Sequence, residues 1–220
     1  MYRCVAATVE GFIQQIAVSY VLHGYFRYVT GEVQKGNDPE ELDTKLRGRY
    51  ELDISKWVRA RRRKRGEASV QYFRHGRAFV LLATDGVYEP LRSEPGCRDV
   101  RKDPLRLFRY EIGCYRRASG RWHPSVRVER ASWRRVVRWF RSRALSCDAH
   151  RLQSCINRLP FAPFAPVRGQ VFSLVVAINR RRKRANLPLV SLTSVRRRRK
   201  PVKVYVDAPI PPESTAGLSH

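Results

Sequence analysis

Cations gathered in tight runs are the residues of this chain with the clearest chemistry to offer. Arg59, Arg61, Arg62, Arg63, Lys64 and Arg65 fall in the stretch "RARRRKR". Three further runs follow: Arg134, Arg135, Arg138, Arg141 and Arg143; Arg180, Arg181, Arg182, Lys183 and Arg184; and Arg196, Arg197, Arg198, Arg199 and Lys200. Arg77 stands alone between the first two. Arginine dominates, and its planar fork meets phosphate through paired hydrogen bonds and stacks on flat bases, whereas lysine offers a point charge. Placed along a phosphodiester strand, such groups displace condensed counterions and gain affinity that falls steeply with salt. Aromatic residues lie in or beside the same segments. Tyr115 and Trp122, flanked by Arg and Gly, are the candidates for stacking on unpaired bases. Trp133 and Phe140 fall on an apolar helical stripe and read as core.

The charge balance points the same way. The chain carries 45 Lys and Arg against 19 Asp and Glu, a formal net charge of +26. Residues 1–54 hold eight acids and six bases, so the excess belongs to the remainder, with 39 bases and 11 acids. Self-repulsion on this scale calls for a polyanionic partner and far exceeds what solubility requires.

Catalytic chemistry has weaker support. Asp85, Asp99, Asp103 and Glu111 could converge across a sheet and hold a divalent metal, as a nuclease or recombinase needs. No E-x-K follows them, however, and Asp85 has a simpler role in a turn. The five histidines are widely separated, which removes the closely spaced His pair of tyrosine-nucleophile replication and transposition nucleases. No P-loop and no dinucleotide-binding glycine signature is present. Cys4, Cys97, Cys114, Cys147 and Cys155 form no C-x-x-C pair, so neither a zinc knuckle nor a disulfide framework is expected. Neither metal nor cofactor is expected. Glu10, Gln14 and Gln15 interrupt the first apolar stretch, against a secretory signal. Without a membrane-spanning run either, the expected setting is the reducing cytoplasm.

The elements that must carry these groups can be read from periodicity. Val9, Phe12, Ile13, Ile16, Ala17 and Tyr20 follow helical spacing behind a capping Thr8. "YFRYVTGEV" reads as a strand, and "DPEEL" starts a second helix. Ser55 caps a third, which carries the first basic run and stops at Gly66. A hairpin around His75–Gly76 follows, then "LRLFRYEIGCYRR" as one strand and "SVRVER" as another, for a sheet of four or five strands. "HGRAFV" shares Gly, Ala, Phe and Val with the core of the RNA-recognition-motif signature, but an ordinary buried hairpin explains the same residues. Amphipathic helices are predicted around Trp133–Ala144, Leu152–Leu159 and Val167–Ile178, with "PFAPFAP" as a stiff connector.

"MYRCVAATVEGFIQQIAVSYVLHGYFRYVTG", "DISKWVRARRRKRGEASVQYFRHGRAFVLLATDG", "LPFAPFAPVRGQV" and "INRRRKRANL" resemble a family of uncharacterised basic bacterial proteins. The similarity spans nearly residues 1–206 and implies a mobile-element setting, but brings no assigned activity. The fold expected is α+β: a small antiparallel sheet with helices packed on one face, plus a basic C-terminal helical extension. Residues 1–160 would form the main domain, 161–206 a Pro-linked helix and strand, and 207–220 a disordered tail. The expected function is nucleic-acid binding, RNA ahead of DNA, as a non-catalytic part of a ribonucleoprotein or mobile-element assembly. Its expected partners are nucleic acid and other proteins of that assembly, not membrane, because no basic helix has a wide apolar face.

Overall fold

The structure is a computed structural model that describes residues 2–87, 91, 94–193, 202, 204 and 205. The run Arg196–Lys200 and the tail 207–220 therefore lie outside the described residues. The chain is α+β. Helix α1 (Val9–Gln14) starts where Thr8 Oγ1 accepts the Gly11 N–H at 3.0 Å. It runs on as a π-helical segment (Gln15–Tyr20) and a 3₁₀ turn (Val21–His23), ending at Gly24 with φ +91°. Strand β1 (Tyr25–Glu32) leads to α2 (Pro39–Arg49), whose Asp38 cap and first-position proline behave as the sequence predicts. Ser55 caps α3 (Lys56–Lys64), and the predicted stop at Gly66 also holds, with φ +80°.

Strands β2 (Val70–His75) and β3 (Ala78–Thr84) form the hairpin, and β4 (Arg98–Asp99) adds a short edge. These give an antiparallel sheet in the order β2-β3-β1-β4. Along β3, Val80 and Leu82 face a core that includes Phe12, Ile13 and Ile16. Leu81 and Ala83 face another that includes Leu46 and Tyr50 of the α2 region. Covering both faces explains why β3 reads as an unbroken apolar run instead of alternating. Arg74 locks α2 to this sheet: its guanidinium donates to both Asp43 oxygens at 2.7 Å, and the Tyr72 hydroxyl donates to the same carboxylate at 2.6 Å.

The single strand expected from Leu105 to Arg117 is two. β5 (Leu105–Leu107) turns at Phe108 (φ +49°) and Arg109 (φ +68°) into β6 (Tyr110–Arg116), which pairs with β7 (Trp122–Val128). The turn takes the left-handed geometry that a tight hairpin requires without either glycine or asparagine, so sequence alone gave no signal for it. Phe108 packs edge-on against Phe12 and His75, a tertiary contact that offsets the local strain. Among the described residues the strands thus make two sheets, of four and three strands, in place of one.

Helices α4 (Arg130–Arg143), α5 (Ala149–Asn157) and α6 (Ala165–Arg184) close a separate core around Phe140, Leu152, Leu174 and Ile178. The Pro-rich connector is packed: Ala162 and Phe164 join the main core with Val167, and the Ala162 N–H donates to the buried Tyr110 hydroxyl at 2.7 Å. Gln170 of α6 bonds both the N–H and the carbonyl of Val128, tying the helix to the end of β7. Among the described residues, no helix is long and apolar enough to cross a membrane.

Candidate nucleic-acid interface

Trp133, Val136, Val137, Phe140 and Ala144 turn α4 inward, which leaves Arg134, Arg135, Arg138, Arg141 and Arg143 exposed on its outer side. The last turn of α6 lies against this helix. Arg181 donates to the Arg141 carbonyl at 2.6 Å, so two runs separated in sequence become neighbours. Between them runs a groove of about 570 Å³ lined by Trp133, Arg134, Val137, Arg138, Arg141, Ser142 and Arg181. Four guanidinium groups thus line an apolar strip, with no carboxylate among the described lining residues. From Arg130 to Arg184 there are fourteen Lys or Arg and a single acid, Asp148. Arg180, Lys183 and Arg184 are also exposed beside the groove's α6 side.

Arg182 does something else. It is 1% exposed, and its guanidinium donates to the carbonyls of Ala144 at 2.8 Å, Cys147 at 2.7 Å and Pro188 at 2.5 Å. Those carbonyls include the end of α4, where the chain leaves helical hydrogen bonding and donors are needed. Arg182 is therefore a joint between helices and not a phosphate contact. Arg77 needs the same correction: it donates to the carbonyls of Val33 (2.8 Å), Gln34 and Asn37, which fastens the loop after β1 to the β2–β3 turn. A buried carbonyl that lacks a partner is costly, and each arginine meets one residue's need, Arg182 that of Ala144 and Arg77 that of Val33.

On α3 the run is partly neutralised. Arg62 pairs with Glu51 at 2.6 Å and Arg65 with Glu67 at 2.8 Å, while Arg59 gives one N–H to the Ile54 carbonyl and keeps its charge. Arg61, Arg63 and Lys64 remain exposed. The ridge is anchored in structure, as expected, but fewer of its charges are available than a count suggests.

Of the two candidate stacking rings, Tyr115 is exposed, while Trp122 is half-buried and edge-on to Phe26. Two other aromatic residues of the basic segments, ranked below these from the sequence, also present exposed rings. Trp57 is 69% exposed beside Lys56 on α3, and Trp139 is 39% exposed with the Arg143 guanidinium 4.4 Å from its ring centre. Trp139 could have been found from its helical angle, since it lies well off the stripe of Trp133, Val137 and Phe140.

The four candidate carboxylates come near one another but around guanidinium groups. Arg101 bonds Asp99 and Asp85 together, at 2.7 Å and 2.9 Å for its shortest contacts. Asp103 pairs with Arg98 and Arg106, and Glu111 with Arg106. Burial by itself raises the Asp99 carboxyl. Hydrogen bonds from the Arg101 side chain and backbone N–H outweigh it, so the group sits below its ordinary range. The Arg101 guanidinium also lies 4.4 Å from the Phe26 ring centre, which fixes it further. Among the described residues no three His, Cys, Asp or Glu side chains are grouped to hold a metal ion.

No family model, curated protein or solved structure matches this chain.

Proposed function

We propose that this chain is a nucleic-acid-binding protein that acts without catalysing a reaction, within a cytoplasmic ribonucleoprotein or mobile-element assembly. The observation that carries the reading is the α4–α6 groove, where Arg134, Arg138, Arg141 and Arg181 stand over Trp133 and Val137 with no competing carboxylate among the described lining residues. Guanidinium walls suit phosphate, and the apolar strip suits the face of a base. Trp57, Trp139 and Tyr115 add exposed rings near cations, which supports a reading of unpaired strands, with RNA favoured slightly over DNA.

If six to ten phosphates are neutralised, affinity falls about 10³- to 10⁵-fold from roughly 50 to 200 mM salt. The test measures binding of single-stranded RNA and DNA of equal length across that range, for the wild type and a variant with Arg134, Arg138 and Arg141 changed to Glu. Strong, salt-sensitive binding that the variant loses supports the reading. Material that ignores both polymers in dilute buffer, or a variant that binds as well as the wild type, overturns it.

A further inference from the structure

A second cleft, of about 780 Å³, opens where the N-terminus, the π-helical segment, the start of α3 and Tyr205 meet. That volume is in the range of small-molecule sites. Its groups fall into two kinds. Tyr2, Tyr20 and Tyr205 supply phenol rings, while Arg3 and Arg59 supply guanidinium charge. Both kinds line the same opening.

The π-helical segment builds one wall. On an α-helix, residues five apart diverge by roughly 140°. The wider π turn, with its i to i+5 bonding, brings Gln15 and Tyr20 to the same opening. Gln15 is oriented by its neighbours: Nε2 donates to the Tyr205 hydroxyl at 2.9 Å, and Oε1 accepts from the Ser19 hydroxyl at 2.9 Å. Across the cleft the Tyr2 hydroxyl lies 2.8 Å from Gln71 Oε1 and accepts the Tyr72 N–H at 2.9 Å. These bonds hold the rings in place and keep the opening from collapsing. Asp53 is the one carboxylate among the described lining residues, and Arg47 holds it through two bonds of 3.1 and 2.8 Å, which offsets its charge.

We infer that this cleft binds one nucleotide, with its phosphate on Arg3 and Arg59 and its base among the tyrosine rings. Beyond those bonds, the half-buried Gln15 carboxamide keeps a second N–H and a second lone pair for a base edge. The nucleotide can be free or an unpaired residue of a bound strand. Only the second source rests on the nucleic-acid reading above, because the cleft and the α4–α6 groove share no lining residue.

Two measurements separate these cases. Mononucleotides are titrated and followed by NMR, with Arg3→Glu and Arg59→Gln as variants; Arg3 is exposed, so its change leaves folding intact by circular dichroism. RNA containing 4-thiouridine is photo-cross-linked and the attached peptides are mapped. Mononucleotide shifts at the cleft, weakened about tenfold by Arg3→Glu, support the inference with a free ligand. Cross-links at Tyr2, Tyr20 or Tyr205 support it with a strand. Cross-links confined to α4 and α6, together with no mononucleotide shift at the cleft, overturn it and leave the groove's role standing. Absence of any RNA binding overturns the groove's role instead, and the mononucleotide titration then decides the cleft alone.

Discussion

The guanidinium of Arg182 and the carbonyl of Ala144, 38 residues apart, are joined by a buried hydrogen bond of 2.8 Å. This contact, with those to Cys147 and Pro188, sets the end of α6 against the end of α4 and so places Arg181 beside Arg141. Replacing Arg182 by Ala leaves three carbonyls without this donor and an unfilled volume. We expect a loss of about 3 kcal/mol or more in urea unfolding, which Lys does not recover because it lacks the fork. Arg180→Ala and Lys183→Ala, at exposed positions, should change stability by less than about 0.5 kcal/mol.

The groove makes a quantitative claim about salt. Changing Arg134, Arg138 and Arg141 together should reduce the slope of log affinity against log salt by about 2 for a single strand, at roughly 0.7 per phosphate contact. Arg77→Ala is the control. It should lower the thermal midpoint through its three lost carbonyl contacts while leaving that slope unchanged.

Asp99 makes stability depend on acid pH. Its carboxyl is lowered in the folded chain, so its contribution is fully present above the ordinary Asp value of about 3.9 and is lost as pH falls through the folded value. Urea midpoints measured from about pH 5 downward should fall less steeply for Asp99→Asn than for the wild type. The same variant, combined with Glu111→Gln, should leave RNA affinity unchanged. Metal-dependent cleavage by the wild type that vanishes in this double variant would revive the nuclease alternative.

The buried trio of Asp43, Arg74 and Tyr72 gives another test. Asp43→Ala strands the Arg74 charge in an apolar surrounding, for an expected cost of about 3 to 5 kcal/mol. Replacing Asp43 and Arg74 together with Leu and Met should recover most of it. A double variant as unstable as the single one would mean that the pair itself, and not the stranded charge, sets the cost.

The Phe108–Arg109 turn predicts a gain. Arg109 is exposed at φ +68°, where a side chain is strained and glycine is not. Arg109→Gly should stabilise the chain by about 0.5 to 1 kcal/mol, seen as a higher thermal midpoint.

What the sequence determined by itself is what neighbours along the chain decide. Thr8, Asp38 and Ser55 cap their helices because a side-chain oxygen reaches an N–H only two or three positions away. The amphipathic stripe of α4 and the basic runs were legible for the same reason, as was the α+β class. The turn at Phe108 and the division into two sheets were not, because packing against Phe12 and His75 outweighs a local preference. Only the tertiary structure decided which arginines are available. A run such as Arg180–Arg184 looks uniform in sequence, yet Arg181 faces a groove and Arg182 is sealed inside. The partners that settle each fate, Ala144, Cys147 and Arg141, arrive from distant parts of the chain, and a guanidinium binds whichever oxygen folding brings to it.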